Sequence, residues 1–395
     1  MARCLQHLNG DYRGHDPLRP GGYHPIIIGD IIGSSPRTDS ASKPCQYRIM
    51  HKLGFGSYAT ALWLAQKTDS SGAFVAVKIT TAADGHIREA QMLEAASTVM
   101  PNGQPSPHIM TLLDHFTLRG PNGAHSVLVT DVVAPIVSFP SPGRSPHWRK
   151  AFAYGLAQGL AHLHATGIVH GDLHLGNVGF AMPQLAHQDE DDVMQDLSPY
   201  DLTIVLPCSA AKQTRSLPAY VVALCHLTTY YEKLAGSDPP VAKIFDFGNA
   251  HKAGTPPLNF QCAVEACAPE LGFARPPADV WALGAVIYEI VTGAPMFHGD
   301  GMPALPYHMS EMAGYVPSEW QSWRPDLTIS PDQADAWWTS RKTQLRRGCV
   351  DDKDTDALVR LLKKVLVLDA AIRPTIAVVL QDPWFHDDAA HQVQG

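Results

Sequence analysis

The chain has 395 residues, 45% of them hydrophobic, which is ample for a large core and, by length alone, for two or three domains or lobes. Its formal net charge of −8 argues against direct nucleic-acid binding and fits ordinary solubility, with attraction of basic substrates a weaker reading. Seven cysteines without paired spacing point to reduced thiols and a cytoplasmic or nuclear location.

Residues 1–46 are rich in Gly, Pro, Ser and Asp and read as a partly disordered leader. The first 20 residues include Arg3, Asp11, Arg13 and Asp16 and no apolar core, so no secretory signal is expected. From Tyr47, "YRIMHKLGFGSYATALWLAQ" and "AFVAVKIT" alternate as strands around a Gly-rich bend. "DGHIREAQMLEAAS" reads as a helix with Ile87, Ala90, Met92, Leu93 and Ala96 near one face. "IMTLLDHFTL" and "HSVLVTDVV" are two more strands, joined at Pro121-Asn122-Gly123. "HWRKAFAYGLAQGLAHLHATG" is an amphipathic helix that stops at Gly167. The chain beyond is mainly helical. It is interrupted at 181–240 by an insert whose acidic run, Asp189-Glu-Asp-Asp192, reads as a solvated loop. The longest apolar stretch, Val280–Val291, contains Glu289 and is too short to span a bilayer, so no membrane association is expected.

Four motifs in a fixed order carry chemistry. Leu53-Gly54-Phe55-Gly56-Ser57-Tyr58-Ala59-Thr60-Ala61 sits at a hairpin, where glycines let backbone N–H groups approach phosphates. Val75-Ala76-Val77-Lys78 places a lysine on a strand, able to reach the α- and β-phosphates of ATP. "VHGDLHLGN" holds Asp172 and Asn177, and Lys243-Ile-Phe-Asp246-Phe247-Gly248 ends a strand on an aspartate. Each supplies a part that phosphoryl transfer needs, because that reaction calls for charge neutralisation and positioning more than covalent chemistry. Lys78 and the loop amides would hold the triphosphate, and Asn177 and Asp246 would hold Mg2+. Asp172 would orient the attacking hydroxyl and accept its proton. Glu89 would pair with Lys78, with Glu94 as the competing candidate.

The order of these motifs resembles the protein kinase superfamily over about residues 47–386. Later matches are Ala268-Pro269-Glu270, "DVWALGAVIYEIVTG" from Asp279, Arg373 in "LDAAIRPT", and "DPWF" at 382–385. The resemblance implies an α+β bilobal fold. A small antiparallel-sheet lobe would cover 47–134. A mainly helical lobe would cover 135–386 with the 181–240 insert, followed by a tail at 387–395.

A closer resemblance is to the SR-protein kinases, which phosphorylate serines in Arg/Ser-rich segments. It rests on "GGYHPIIIGD", "MTLLDHFTLRGPNGAHSVLVTDVV", "FDFGNA", the insert and Ala59 in place of a third glycine. The chain is identified as a divergent, fungal-like member. The resemblance implies ATP and Mg2+ as cofactors, a protein substrate rich in Arg and Ser, and a monomer. It also implies Thr130 as gatekeeper with room for bulky ATP-site inhibitors, Asp131 and Val133 lending hinge backbone groups to adenine, and Ala76 packing on the ring.

Two positions depart from the usual protein kinase pattern. Gly171 replaces the arginine that pairs with a phosphorylated activation loop, as in the SR-protein kinases, so activity independent of that phosphorylation is expected. His174 stands where protein kinases carry a lysine that touches the γ-phosphate, and it completes the candidate catalytic set. His-Gly-Asp-Leu-His-x-x-Asn also resembles aminoglycoside phosphotransferases. A small-molecule kinase therefore stays open as an alternative, and so does a weak or inactive pseudokinase scaffold. The protein kinase reading is preferred, because Ala268-Pro269-Glu270, Asp279 and Arg373 belong to a peptide-binding lobe.

Other features are set aside. His162 and His164 do not share a helix face, and His170 reads as a brace for the catalytic loop. Trp337-Trp338 reads as packing plus one exposed ring, and no Cys/His spacing fits zinc. A disulfide between Cys262 and Cys267 is not expected in a reducing compartment.

Overall fold

Alternating apolar residues along the first third of the chain form a sheet. A computed structural model describes residues 21–34, 45–56, 60–82, 87–97, 105–136, 144–197, 199–206, 215–236, 238–255, 262–270, 275–297 and 301–386. The chain divides into two compact units. One comprises Met1–Glu94, Met110–Ala134 and Ala181–Gly236, and the other Ala95–Ile109, Pro135–Phe180 and Ser237–Gly395.

In the first unit, β1 (Ile31–Gly33), β2 (Gln46–Gly56), β3 (Thr60–Lys67), β4 (Phe74–Thr80), β5 (Leu112–Gly120) and β6 (Gly123–Thr130) form one six-stranded sheet in the order β1-β2-β3-β4-β6-β5. Every neighbouring pair is antiparallel. The leader therefore supplies an edge strand. Helix α1 (Ile87–Ala96) follows β4. Period-two side-chain placement sends Tyr47, Ile49, Trp63, Ala65, Val75, Val77, Ile79, Val127 and Val129 into one buried cluster. Ala76 and Lys78 alternate with these residues and so project from the opposite face. A one-residue slip of β4 would bury the lysine in the apolar cluster.

After β7 (Val133–Pro135), the second unit begins its helices with α2 (Pro146–Ala165). Ser145 caps it by accepting the Trp148 N–H at 3.2 Å, and Gly167 beyond its end takes φ +74°. β8 (Ile168–Val169) and β9 (Val178–Ala181) flank the "HGDLHLGN" loop.

The insert then folds as α3 (Glu190–Asp196), a hairpin of β10 (Leu202–Ile204) and β11 (Tyr220–Val222), and α4 (Leu227–Ala235). Residues 181–236 group with the sheet unit rather than with the helices. Val222 joins the sheet's buried cluster together with Ile26 and Ile32 of the leader. The Tyr220 hydroxyl accepts the Ile28 N–H at 3.0 Å, and Arg48 of β2 reaches Glu190 at 2.6 Å. The acidic run is thus not a plain loop. Asp189 caps α3, accepting the Asp192 N–H at 3.0 Å, and acids in a helix's first turn complement its dipole.

β12 (Ala242–Ile244) returns antiparallel to β9, and β13 (His251–Lys252) pairs with β8. Beyond lie α5 (Pro276–Thr292), α6 (Leu305–Ala313), α7 (Pro331–Leu345), α8 (Asp352–Val365) and the short α9 (Ile376–Val379). α5 is buried around most of its circumference, as a central helix must be. Gly284 lets it approach α8 closely: a Cβ there would lie 2.6 Å from Val365. Trp337 and Trp338 are both buried, which corrects the expected exposed ring; the Trp338 indole N–H donates to the Met312 carbonyl at 3.1 Å. Among the described residues no helix is long and apolar enough to cross a membrane.

Candidate active site

In the sheet unit, Lys78 meets both oxygens of Glu89, at 2.8 and 2.9 Å. The glutamate side chain is 1% exposed and the lysine 18%. Glu94 lies instead beside His115, at 3.5 Å. A nearly buried, doubly bonded pair of this kind fixes the ammonium in place. Removing one partner of such a pair typically costs about 3–5 kcal/mol, because the other charge is left uncompensated.

Leu53 is buried, and Gly54, Phe55 and Gly56 pair with Leu62, Ala61 and Thr60 across the hairpin. Ser57, Tyr58 and Ala59 lie outside the described residues. Ala76 and Thr130 are direct cross-strand partners, and both are buried. The Thr130 hydroxyl donates to the Asp131 carbonyl at 3.1 Å. Asp131 is locked to Thr111 on both sides. Its N–H donates to the Thr111 carbonyl at 3.2 Å, and its carboxylate accepts the Thr111 N–H at 2.8 Å. Val133 opens β7.

In the helical unit, Asp279 near the start of α5 organises the catalytic loop. Its carboxylate accepts the His170 N–H at 2.9 Å, the Gly171 N–H at 2.9 Å and the His164 Nε2–H at 3.0 Å. Burial opposes its charge, but these bonds prevail and hold the carboxyl below its ordinary range. Gly171 takes φ +76° to present its amide. His170 donates from Nε2 to the Phe245 carbonyl at 3.1 Å, accepts the Asp172 N–H on Nδ1 at 3.3 Å, and packs edge-on against Phe247. It acts as a brace.

Asn177 links the two motifs of this unit. Its side-chain amide donates to the Asp172 carbonyl at 2.8 Å, and its own carbonyl accepts the Phe245 N–H at 3.0 Å. Asp246 follows at φ 61°, the one non-glycine residue in the left-handed region among those described. Such strain tends to mark functional positions. With Asn177 donating through nitrogen, its side-chain oxygen and the Asp246 carboxylate form a hard-oxygen donor set. That set suits Mg2+, which is usually held by one or two protein oxygens together with substrate phosphate. No cluster of three or more His, Cys, Asp or Glu that could hold a metal occurs among the described residues.

His174 accepts the Gly176 N–H on Nδ1 at 3.1 Å, which leaves its proton on Nε2. Gly176 leaves room for the ring: a Cβ there would lie 2.8 Å from the imidazole and push it aside. Nε2 is 4.0 Å from Asp172 Oδ1, too far for a hydrogen bond. Burial, chiefly, pushes His174 below its ordinary value despite the Asp172 charge, so the ring is a neutral N–H donor.

Three features escaped the sequence reading. Asn249, quoted only as part of "FDFGNA", donates to Asp172 Oδ2 at 2.9 Å. Asp279 is the cradle of the loop as well as the start of a helix. Cys262 and Cys267 form a disulfide, contrary to the expectation from compartment. The turn at Val264–Ala266 folds the chain back and brings their Cα atoms to 5.4 Å. Just after it, Glu270 takes two bonds from the Arg373 guanidinium, at 2.8 and 3.1 Å, and Arg373 also donates to the carbonyls of Val367 and Pro277.

Residues 234–385 match the family model of the protein kinase domain. Over 184 residues the chain is 34% identical to a Saccharomyces cerevisiae protein named serine/threonine-protein kinase SKY1; the match covers 42% of this chain and 23% of that one. A Physarum polycephalum protein named serine/threonine-protein kinase SRPK is 28% identical over 342 residues, 78% of this chain and 74% of that one. A human protein named SRSF protein kinase 3 is 28% identical over 193 residues, 45% of this chain and 32% of that one. The matched length thus ranges from about a quarter to three quarters of these relatives.

Proposed function

We propose that the chain is a protein kinase close to the SR-protein kinases, an ATP- and Mg2+-dependent serine/threonine kinase acting on Arg/Ser-rich proteins. The observation that carries this reading is the Lys78–Glu89 pair, formed with both carboxylate oxygens. An inactive scaffold has no need of an ammonium held in that way.

Each residue has a task. Lys78, fixed by Glu89, binds the α- and β-phosphates. Asp172 accepts the proton of the incoming serine hydroxyl and directs its oxygen at the γ-phosphate. Asn177 and Asp246 would hold Mg2+, which supplies charge neutralisation on the phosphate oxygens. His174 contributes an N–H in place of a lysine's full charge. The substrate class is supported by the similarity to relatives named SRPK and SRSF protein kinase 3 and by two acidic side chains, Glu265 and Glu289. Burial, and then the charge of Glu265, push Glu289 up to about 7, so a cation beside the pair would relieve the repulsion between them. Glu270 with its guanidinium clasp and Asp279 with its loop cradle favour a peptide-binding lobe over a small-molecule kinase.

The test is transfer of labelled phosphate from Mg-ATP to Arg/Ser, acidic and aminoglycoside acceptors, with Asp172→Ala as control. Arg/Ser peptides should be labelled, and phosphatase pretreatment should leave the rate unchanged, because Gly171 offers no guanidinium to a phosphorylated loop. Labelling of aminoglycosides alone would overturn the substrate class. Binding of ATP without transfer to any acceptor would overturn the activity.

A further inference from the structure

The catalytic carboxylate of Asp172 must be aimed, because a general base a fraction of an ångström out of place loses much of its effect. Its backbone is fixed at both ends. The Asp172 N–H donates to His170 Nδ1 at 3.3 Å, and its carbonyl accepts the Asn177 side-chain amide at 2.8 Å. Neither contact sets the rotation of the carboxylate about its own side-chain bonds. His174 does not set it either, since its Nε2 lies 4.0 Å from Oδ1.

Among the described residues, one side chain does reach the carboxylate directly. Asn249 donates from Nδ2 to Asp172 Oδ2 at 2.9 Å. Asn249 is itself placed by a short 3-10 turn, Phe247–Asn249, that begins at the strained Asp246, and its carbonyl meets the His251 imidazole at 3.1 Å. The turn links the end of the metal-binding motif to the catalytic base. We propose that Asn249 is a positioning residue for the transfer reaction. By occupying Oδ2, its amide turns Oδ1 toward the serine hydroxyl and fixes which carboxylate oxygen takes the proton. The proposal rests on the kinase reading above and deepens it, since it assigns the orientation of the base to a residue three positions beyond Asp246.

The experiment compares the full-length chain with Asn249→Ala and Asn249→Asp. The aspartate keeps the shape of asparagine and removes the donor, so it separates hydrogen bonding from packing. Loss of the donor should lower kcat about 10- to 100-fold in the alanine variant, with KM for ATP and for peptide within about twofold of wild type. The aspartate variant should fall further, because it sets a second carboxylate beside the base. Wild-type kcat in either variant would overturn the proposal, and so would a loss that appears in KM alone.

A second readout needs no activity. In the 15N spectrum, the side-chain amide of Asn249, assigned by its absence in Asn249→Asp, should shift when Asp172 is changed to alanine. An amide that does not respond to Asp172→Ala would overturn the assignment. If the wild-type chain transfers no phosphate while this amide does respond, the kinase reading fails and the Asn249–Asp172 link stands.

Discussion

Lys78 could be paired on paper with either of two helix acids, and geometry chooses between them. Glu89 and Glu94 are five residues apart, which rotates them onto different sides of α1; only Glu89 meets the lysine. Glu89→Ala should therefore lower kcat/KM at least about 10-fold, with loss of thermal stability, while Glu94→Ala should change neither by more than about twofold; peptide-transfer kinetics and melting curves check both. Glu289 gives a pH test. Its folded value, about 7, lies above the ordinary carboxyl value, so its protonated form is favoured in the native state. Its contribution to stability is full below about pH 4.5 and is lost as pH rises through 7. Glu289→Gln should thus gain on wild type between pH 5 and pH 8, by about 1–2 kcal/mol after allowance for solvent screening. A gap that stays constant with pH would refute this. At this scale the sequence was informative about identities but not about orientation. Lys78, Asp172, Asn177 and Asp246 stood out by motif. Asn249 did not, because its importance comes from a contact with a residue 77 positions earlier in the chain.

Elements were legible where their period was long. The 20-residue α2 and the alternating β2, β3 and β4 could be read directly from spacing. The insert's β10 and β11 are three residues each, too short for any period to declare itself, and where they dock depends on side chains such as Val222 and Tyr220 meeting the leader and the sheet. The tie between Glu270 and Arg373 shows what spacing can and cannot give. Both residues belong to motifs that carry the family resemblance, but the burial of Arg373 and its further bonds to two carbonyls came only from the fold. Arg373→Ala should cost about 3–5 kcal/mol in chemical denaturation, because it strands a carboxylate and two carbonyls. Arg373→Lys should recover only part of that, since an ammonium cannot make the paired bonds of a guanidinium.

Across the whole molecule, the insert leaves from β9 and returns to β12, two strands paired with each other in the helical unit, yet almost everything between them groups with the sheet unit. With the leader it packs against the sheet, contributing Val222 to the cluster that contains Tyr47 and Val77. Replacing residues 183–236 by a short Gly-Ser linker between β9 and β12 should expose that apolar cluster. The expected result is a chain that binds a hydrophobic dye and melts at lower temperature than the parent. An unchanged melt would show that the insert only decorates the sheet. Composition could not foresee this role, because an insert of mixed polarity looks the same whether it floats or packs.

Gly171 has a consequence for how the catalytic loop is loaded mechanically. At φ +76° its amide reaches the Asp279 carboxylate without the steric penalty, about 1–2 kcal/mol, that any side chain would carry in that region. Gly171→Ala should lower stability by about 1 kcal/mol in chemical denaturation, the strain that the glycine avoids. A side chain at this point would load the loop like a cocked spring; glycine leaves that residue unloaded, so its amide meets the Asp279 carboxylate without local tension.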